Sequence, residues 1–246
     1  MTGPLPVELS VVLPAHDEAA TIEDVVRAVV AVAEHLAPDA HEVIVVDDGS
    51  TDATGAILDR LAAELPAVAV VHQVPNRGHG PALRAGFDLA VGAWIGHLDT
   101  DDQIPADQFE RLWPERSAHD LVLGVRTDRH DPRHRLVVTR AVRAIVGRLA
   151  GRPIQDANVP CKLVGRDLWE AARPYVPTDT FAPSVALAVA AVRLGRPVAQ
   201  VPVQHQARPH GTSSLKPVRL ARGLGTAAVQ TVRLARALPA APAGRP

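Results

Sequence analysis

The sequence holds a single cysteine, Cys161, among 246 residues. An internal disulfide is therefore impossible, and the chain reads as intracellular. The N-terminus, MTGPLPVELS, has no basic segment followed by a long apolar run, so no secretory signal is expected. The longest apolar stretch, Phe181 to Val192, is too short for a membrane span and meets Arg193 at once. There is no internal repeat, no Walker loop and no G-x-G-x-x-G fingerprint. Acid is missing altogether after Asp179. This last absence belongs to a wider asymmetry that the net charge of −1 hides. Residues 1–125 carry 21 Asp and Glu against 6 Lys and Arg, whereas residues 126–246 carry 6 against 20. An acidic half suits a cation site, and a basic half suits phosphate groups or an anionic surface. Pairing of the two halves within the fold is the plainer alternative.

Hydrophobic residues make up 47% of the chain, enough for a real core. The length suits one large α/β domain with a modest appendage. Short apolar runs alternate with helical patterns. Strands are expected at 8–13, 42–46, 68–72, 93–98 and 121–125. Helices are expected at 21–36, from the turn after residue 51 to about 65, at 81–91 and at 105–113. Thr21 is placed to cap the first helix with Asp24 at the capping-box position, and Pro105 to start the fourth. This β-α alternation predicts a mostly parallel sheet flanked by helices. Further on, the pattern predicts a basic helix at 133–149, strands at 159–164 and 198–203, and a helix at 181–194 between them. Residues 1–214 are expected to form the catalytic domain. Residues 215–246 are expected to form a basic amphipathic helix followed by a Pro/Ala tail.

In an open parallel sheet, ligands gather beyond the carboxyl ends of the strands. Four polar clusters fall there. They are Pro14-Ala15-His16-Asp17-Glu18, Asp47-Asp48-Gly49-Ser50-Thr51-Asp52, Asn76-Arg77-Gly78-His79-Gly80 and Asp99-Thr100-Asp101-Asp102-Gln103. In the last, Asp-x-Asp-x-Gln puts three oxygen-bearing side chains at alternate positions. They can converge on a hard cation such as Mg²⁺ or Mn²⁺ and leave open positions for a diphosphate. A calcium loop is the rival, with Asp99, Asp101, Gln103, Asp107 and Glu110 at EF-hand positions, but Ile104 stands where that loop needs glycine. A solvated acidic turn is the plain alternative. The glycine cluster lets backbone approach a ligand near a helix N-terminus. Asp47 or Asp48 either caps a turn or meets a nucleoside. In the basic half, Arg135 with Thr139, and Arg208 with Thr212, Ser213, Ser214 and Lys216, offer donors for phosphate oxygens.

Taken together, the segments VVLPAHDEAATIEDVV, EVIVVDDGSTDAT, NRGHGPALRAGFDLAVG, DTDDQ and VPVQHQARPHGTSSL resemble, in order, the family 2 glycosyltransferases. The resemblance is to the polyprenyl-phosphate sugar transferases of the dolichol-phosphate mannose synthase type and covers about residues 8–216. It implies a glycosyltransferase-A fold, a nucleotide-diphosphate sugar donor, a divalent metal and inverting transfer to polyprenyl phosphate. No nucleic-acid partner is implied. By resemblance, Pro14 and Glu18 belong to the nucleotide loop, Asp47 or Asp48 to the nucleoside contact, and Asp99, Asp101 and Gln103 to the metal. Arg126 follows the fifth strand. Arg135 and Thr139 match an acceptor-phosphate pattern, Asp156 an acid near the acceptor, and Arg208 and Ser213 a loop over the donor phosphates, with Lys216 adding charge. Asp101, Asp156 and Arg135 are the candidate catalytic residues. Four departures stand out. Asp17 replaces a usual Asn, His79 a frequent Lys, and Thr139 a Ser, while Asn158-Val159-Pro160-Cys161-Lys162 replaces a Ser-Gly-Phe. A hydroxyl acceptor, with Asp156 as base, is the alternative reaction. A nucleotidyltransferase and a degenerate nucleotide-sugar binding protein are the rival classes. A cytoplasmic enzyme lying peripherally on the inner membrane face is expected, through the basic helix. The pattern leaves the donor base, the sugar and the oligomeric state open.

Overall fold

The computed structural model describes residues 6–127, 143, 146–149, 151, 153–206 and 217–238. Seven strands form one sheet: β1 Leu9–Ala15, β2 His41–Asp47, β3 Val68–His72, β4 Trp94–Leu98, β5 Leu121–Arg126, β6 Cys161–Gly165 and β7 Val198–Val203. Their order is β3-β2-β1-β4-β6-β5-β7. The pairs β1–β2, β1–β4, β2–β3 and β5–β7 are parallel. β6 runs antiparallel between β4 and β5. Every residue of β1 is buried. That follows from a run of apolar side chains with no alternation, the mark of a strand covered on both faces. Pro202 sits in β7, an edge strand, where a missing N–H costs no central ladder bond.

The covering helices are α1 Ile22–Leu36, α2 Thr54–Glu64, α3 His79–Leu89, α4 Gln108–Leu112, α5 Arg166–Ala172, α6 Pro183–Arg193 and α7 Pro217–Ala237. α1 buries Ile22, Val25, Val26, Val29 and Ala33, the three-and-four spacing of one helical face. α6 is apolar all round because it is covered all round: each residue from Pro183 to Val192 is buried. The longest apolar run of the sequence is thus a core helix. No helix among the described residues is long and apolar enough to cross a membrane.

Several boundaries differ from expectation, each for a physical reason. Thr21 does not form a capping box. Its hydroxyl donates to the Thr100 carbonyl (3.0 Å) and ties α1 to the loop after β4. α3 starts at His79, two residues before Pro81, because Gly78 takes φ 98° and supplies the cap conformation. Pro105 starts a turn rather than the helix. Gln108 and Phe109 donate to the carbonyls of Pro105 and Ala106, the tighter three-residue pattern, and α4 is then short. A 3₁₀ turn, Trp113–Ser117, follows it. The calcium-loop reading fails here. A strand, not a helix, enters the loop, and Ile104 is buried. Of the expected helix at 133–149, only residues 143 and 146–149 are described, and they are helical.

α7 rests on the domain. Thr231, Leu234, Ala235 and Leu238 are buried, and Gln230 accepts a bond from the Phe181 N–H (3.1 Å). The face with Val229, Arg233 and Arg236 is exposed. Part of the helix's apolar surface is therefore used in packing. The acidic and basic halves meet at Asp88–Arg173 (2.9 Å) and Asp120–Arg196 (3.2 Å), both half-exposed pairs.

Candidate active site

The chain leaves β1 toward β2 on one side, and β4 pairs with β1 on the other. The crevice beyond the ends of β1 and β4 is therefore a topological switch point, where open α/β sheets hold their ligands. The loops after β1, β2, β3 and β4 lie around this crevice. They are joined to one another by side chains rather than left as separate turns.

The loop after β1 is held by exchange with the loop after β2. Asp17, at φ 53°, accepts from the backbone N–H of Thr51 (2.7 Å) and of Asp52 (3.3 Å), and its own N–H donates to Ser50 Oγ (3.0 Å). Asp52 accepts in return from the Ala19 N–H (3.2 Å). The Glu18 N–H donates to Thr54 Oγ1 (2.9 Å). Asp17 thus accepts two amides on one oxygen, bonds that an Asn carbonyl would also accept, so the departure from Asn keeps this link between the loops. Pro14 is the last residue but one of the same strand, and its carbonyl accepts from Thr100 Oγ1 (3.2 Å), joining this loop to the one after β4.

Asp47 and Asp48 are both buried, and both are engaged. Asp47 accepts from the Ser50 N–H (3.0 Å) and from His72 Nδ1 (2.8 Å). Burial pushes its carboxyl up, but the hydrogen bonds from Ser50 and His72 outweigh that and leave it below its ordinary value. Asp48 spends one oxygen on the Arg77 N–H and the other on the Gly78 N–H, each at 2.7 Å. It fastens the glycine loop to the end of β2.

The loop after β4 carries Asp99, Asp101 and Gln103. Asp99 Oδ1 accepts from His79 Nε2 (2.9 Å) and from His97 Nε2 (3.0 Å). Burial raises the Asp99 carboxyl, yet the His79 charge and the two imidazole bonds prevail and hold it well below the usual range. His79 moves the other way. Loss of part of its hydration lowers it, but the Asp99 carboxylate raises it by more. Asp101 Oδ1 accepts from the Gln103 N–H (3.2 Å), and Asp102 adopts φ 54° between them. The Gln103 carbonyl accepts from the Gln206 N–H (2.7 Å), and the Gln103 side chain donates to the Gln206 carbonyl (3.4 Å). The loop thereby grips the chain just where it leads into residues 207–216.

Behind Asp99 stands a group the sequence reasoning passed over. Lys162 pairs with His97 across β4 and β6, and its side chain is fully buried. Its ammonium donates to His97 Nδ1 (3.0 Å), to Ser184 Oγ (2.7 Å) and to the Val159 carbonyl. Three N–H bonds meet three acceptors. Because His97 Nδ1 accepts, its proton sits on Nε2, which donates to Asp99. Burial, then the Lys162 charge, push His97 down to about 3, so the ring is neutral. Burial lowers Lys162 itself to about 8. The available signal was a lone polar residue in each of two apolar strands, IGHL and CKLV.

Arg126 and Asp156 come together. The guanidinium donates to both carboxylate oxygens, from Nε at 2.8 Å and from Nη2 at 3.0 Å. This forked pair occupies Asp156 in a buried position. Arg135, Thr139, Arg208, Ser213 and Lys216 lie outside the described residues.

Chemically, the arrangement is a crevice with carboxylates and a carboxamide on one side and a glycine loop at a helix start on the other. Solved structures of similar fold include glucosyl-3-phosphoglycerate synthase from Mycobacterium tuberculosis in complex with UDP. It has a TM-score of 0.70 at 21% identity, covering 95% of this chain and 81% of that one. The same enzyme with Mn²⁺, UDP-glucose and phosphoglyceric acid gives a TM-score of 0.68 at 20% identity, over 92% of this chain and 80% of that one. At this identity the likeness is one of fold, the glycosyltransferase-A fold. Among curated relatives, the glycosyltransferase AglD of Haloferax volcanii is 36% identical over 227 residues, 89% of this chain but 36% of AglD. An undecaprenyl-phosphate 4-deoxy-4-formamido-L-arabinose transferase of Sodalis glossinidius is 31% identical over 224 residues, 89% of this chain and 67% of that protein. Residues 10–164 match the family described as glycosyl transferase family 2, and the chain belongs to that family.

Proposed function

We propose that the chain catalyses inverting transfer of a sugar from a nucleotide diphosphate to polyprenyl phosphate. The observation that carries this reading is the convergence of four polar strand-end loops on one switch-point crevice. The chain's relatives include a transferase named for undecaprenyl phosphate. Within the crevice, Pro14, Glu18, Asp47 and Asp48 belong to the loops assigned to the nucleotide, and Asp99, Asp101 and Gln103 to a Mg²⁺ or Mn²⁺ ion. The donor set fits such an ion: three oxygen-bearing side chains on one short loop suit a hard cation. When bound, that ion supplies positive charge against the charge building on the leaving diphosphate.

The chain's own residues do the rest. The grip of Gln103 on Gln206 supports a reading in which the following segment, with Arg208, Ser213 and Lys216, covers the donor phosphates and excludes water. Arg135 and Thr139 are assigned to the acceptor phosphate. A phosphate acceptor is already anionic and needs no general base. The clamping of Asp156 by Arg126 favours that acceptor over a hydroxyl, which would need a free carboxylate to take its proton. The exposed face of α7, with Arg233 and Arg236, is assigned to an anionic membrane surface.

The test is transfer from UDP-, GDP- and dTDP-sugars to undecaprenyl phosphate in detergent micelles, with Mg²⁺ or Mn²⁺, the product read by mass spectrometry and its anomeric configuration by the proton and carbon couplings at C1 in NMR. A glycolipid of inverted anomeric configuration from at least one donor is expected. Transfer only to a hydroxyl acceptor, or to none, refutes the proposal.

A further inference from the structure

Three nitrogen and oxygen atoms at the end of β4, one each from His79, His97 and Asp99, lie within 4.8 Å of one another. Such a group resembles a two-histidine, one-carboxylate metal site. Hydrogen bonding divides its two imidazoles. His97 is 1% exposed, and Lys162 donates to its Nδ1, so Nε2 carries the proton and has no lone pair to offer. Freeing it would strand one of three ammonium N–H bonds in the core. His97 is therefore a donor that holds Asp99 in place, not a ligand.

His79 is differently placed. Its side chain is 53% exposed, at the first residue of α3. Its Nε2 is 2.9 Å from Asp99 Oδ1, a separation that two ligands of one ion also adopt. Solvent reaches the ring, so its proton can reside on Nδ1 while Nε2 presents a lone pair. A lysine, frequent at this place in similar sequences, offers a positive charge and no lone pair, and repels a cation.

We propose that His79 is a nitrogen ligand of the divalent ion held by Asp99. The ion then sits in a mixed nitrogen and oxygen donor set. On binding, the Nε2 proton of His79 leaves to solvent as the metal–nitrogen bond forms, and Nδ1 keeps its own proton. Imidazole suits transition ions, whereas Mg²⁺ keeps to oxygen, so the site prefers Mn²⁺ or Co²⁺ to Mg²⁺. The proposal rests on the metal site proposed above.

The experiment titrates Mn²⁺ into the full chain without nucleotide and reads electron paramagnetic resonance, with pulsed detection of ¹⁴N coupled to the ion. The variants are His79→Gln, His79→Lys and His97→Gln, each checked for an unchanged circular dichroism spectrum. The wild-type protein is expected to show a directly bound nitrogen. His79→Gln and His79→Lys are expected to lose it, with Mn²⁺ affinity falling at least about tenfold and Mg²⁺ affinity holding in His79→Gln. Bound Mn²⁺ with no coupled nitrogen overturns the role of His79 alone. So does coupling that survives in His79→Gln, or that vanishes only in His97→Gln. Should no Mn²⁺ bind, the underlying metal site fails and this inference falls with it.

Discussion

Lys162→Met removes the buried ammonium behind Asp99 and keeps its volume, so the effect isolates charge and hydrogen bonding from cavity formation. Wild-type Lys162 satisfies His97 Nδ1, Ser184 Oγ and the Val159 carbonyl. The serine hydroxyl can turn to another partner. The imidazole nitrogen and the carbonyl cannot, and each buried acceptor left unpaired costs about 1–3 kcal/mol. Against this, methionine escapes the desolvation that pushes Lys162 down to about 8. The two acceptors together cost about 2–6 kcal/mol, the escape from desolvation offsets part of that, and the net loss is about 2–4 kcal/mol. With a urea slope of roughly 3 kcal/mol per molar, the unfolding midpoint falls by about 1 M. The companion variant Lys162→Met/His97→Leu removes an orphaned acceptor and is expected to regain about 1 kcal/mol relative to Lys162→Met alone. A midpoint shift below about 0.3 M for the single variant, or additive losses in the pair, would refute the network.

Other expectations follow from single contacts. In Gly80→Ala, an added Cβ collides with the Thr180 carbonyl oxygen, so the variant melts about 4–10 °C lower by calorimetry although alanine is the better helix former; an unchanged or higher melting temperature contradicts the packing. His72 is raised by its hydrogen bonds to Asp47 and then Asp59. Its contribution is thus complete below the unfolded value near 6.5 and fades as pH climbs through the folded value. Urea midpoints should therefore decline modestly from about pH 6 to pH 8, and His72→Gln should flatten the decline. Burial pushes the Cys161 thiol up to about 12, so the native protein should resist thiol reagents that label the urea-unfolded chain; fast native labelling contradicts its burial. Asp156→Asn should retain turnover and the acidic limb of its pH profile. A loss of about a thousandfold together with that limb would make Asp156 a general base and the acceptor a hydroxyl.

Much of this fold is written in local pattern. The buried strands of the first half are apolar runs with few polar interruptions, and α1 shows its inward face through Ile22, Val25, Val26 and Val29. The four crevice loops were legible for the same reason: polar residues interrupt apolar runs where strands end. Direction was not legible. Cys161–Gly165 is short and, apart from Lys162, apolar, and nothing in such a segment states that it runs antiparallel between β4 and β5. The Thr21 cap gives way to a distant partner, the Thr100 carbonyl, whereas the two shifted helix starts follow from the backbone at Gly78 and the tight turn after Pro105. The Lys162–His97–Asp99 line depends on strand pairing 65 residues apart, which no window of sequence contains. Asp156 was read as an acid near the acceptor, but its forked bond to Arg126 is visible only once β5 and the segment before β6 are in place.

A divalent ion bound at the loop after β4 together with a nucleoside diphosphate is the centre of the proposed chemistry. Crystals grown with Mn²⁺ and such a nucleotide, measured at a wavelength where manganese scatters anomalously, test this most directly. The expected peak lies within about 2.5 Å of side-chain oxygens of Asp99 and Asp101, bridging to the diphosphate. A manganese peak elsewhere, or a nucleotide seated in the crevice with no ion beside these carboxylates, would contradict it.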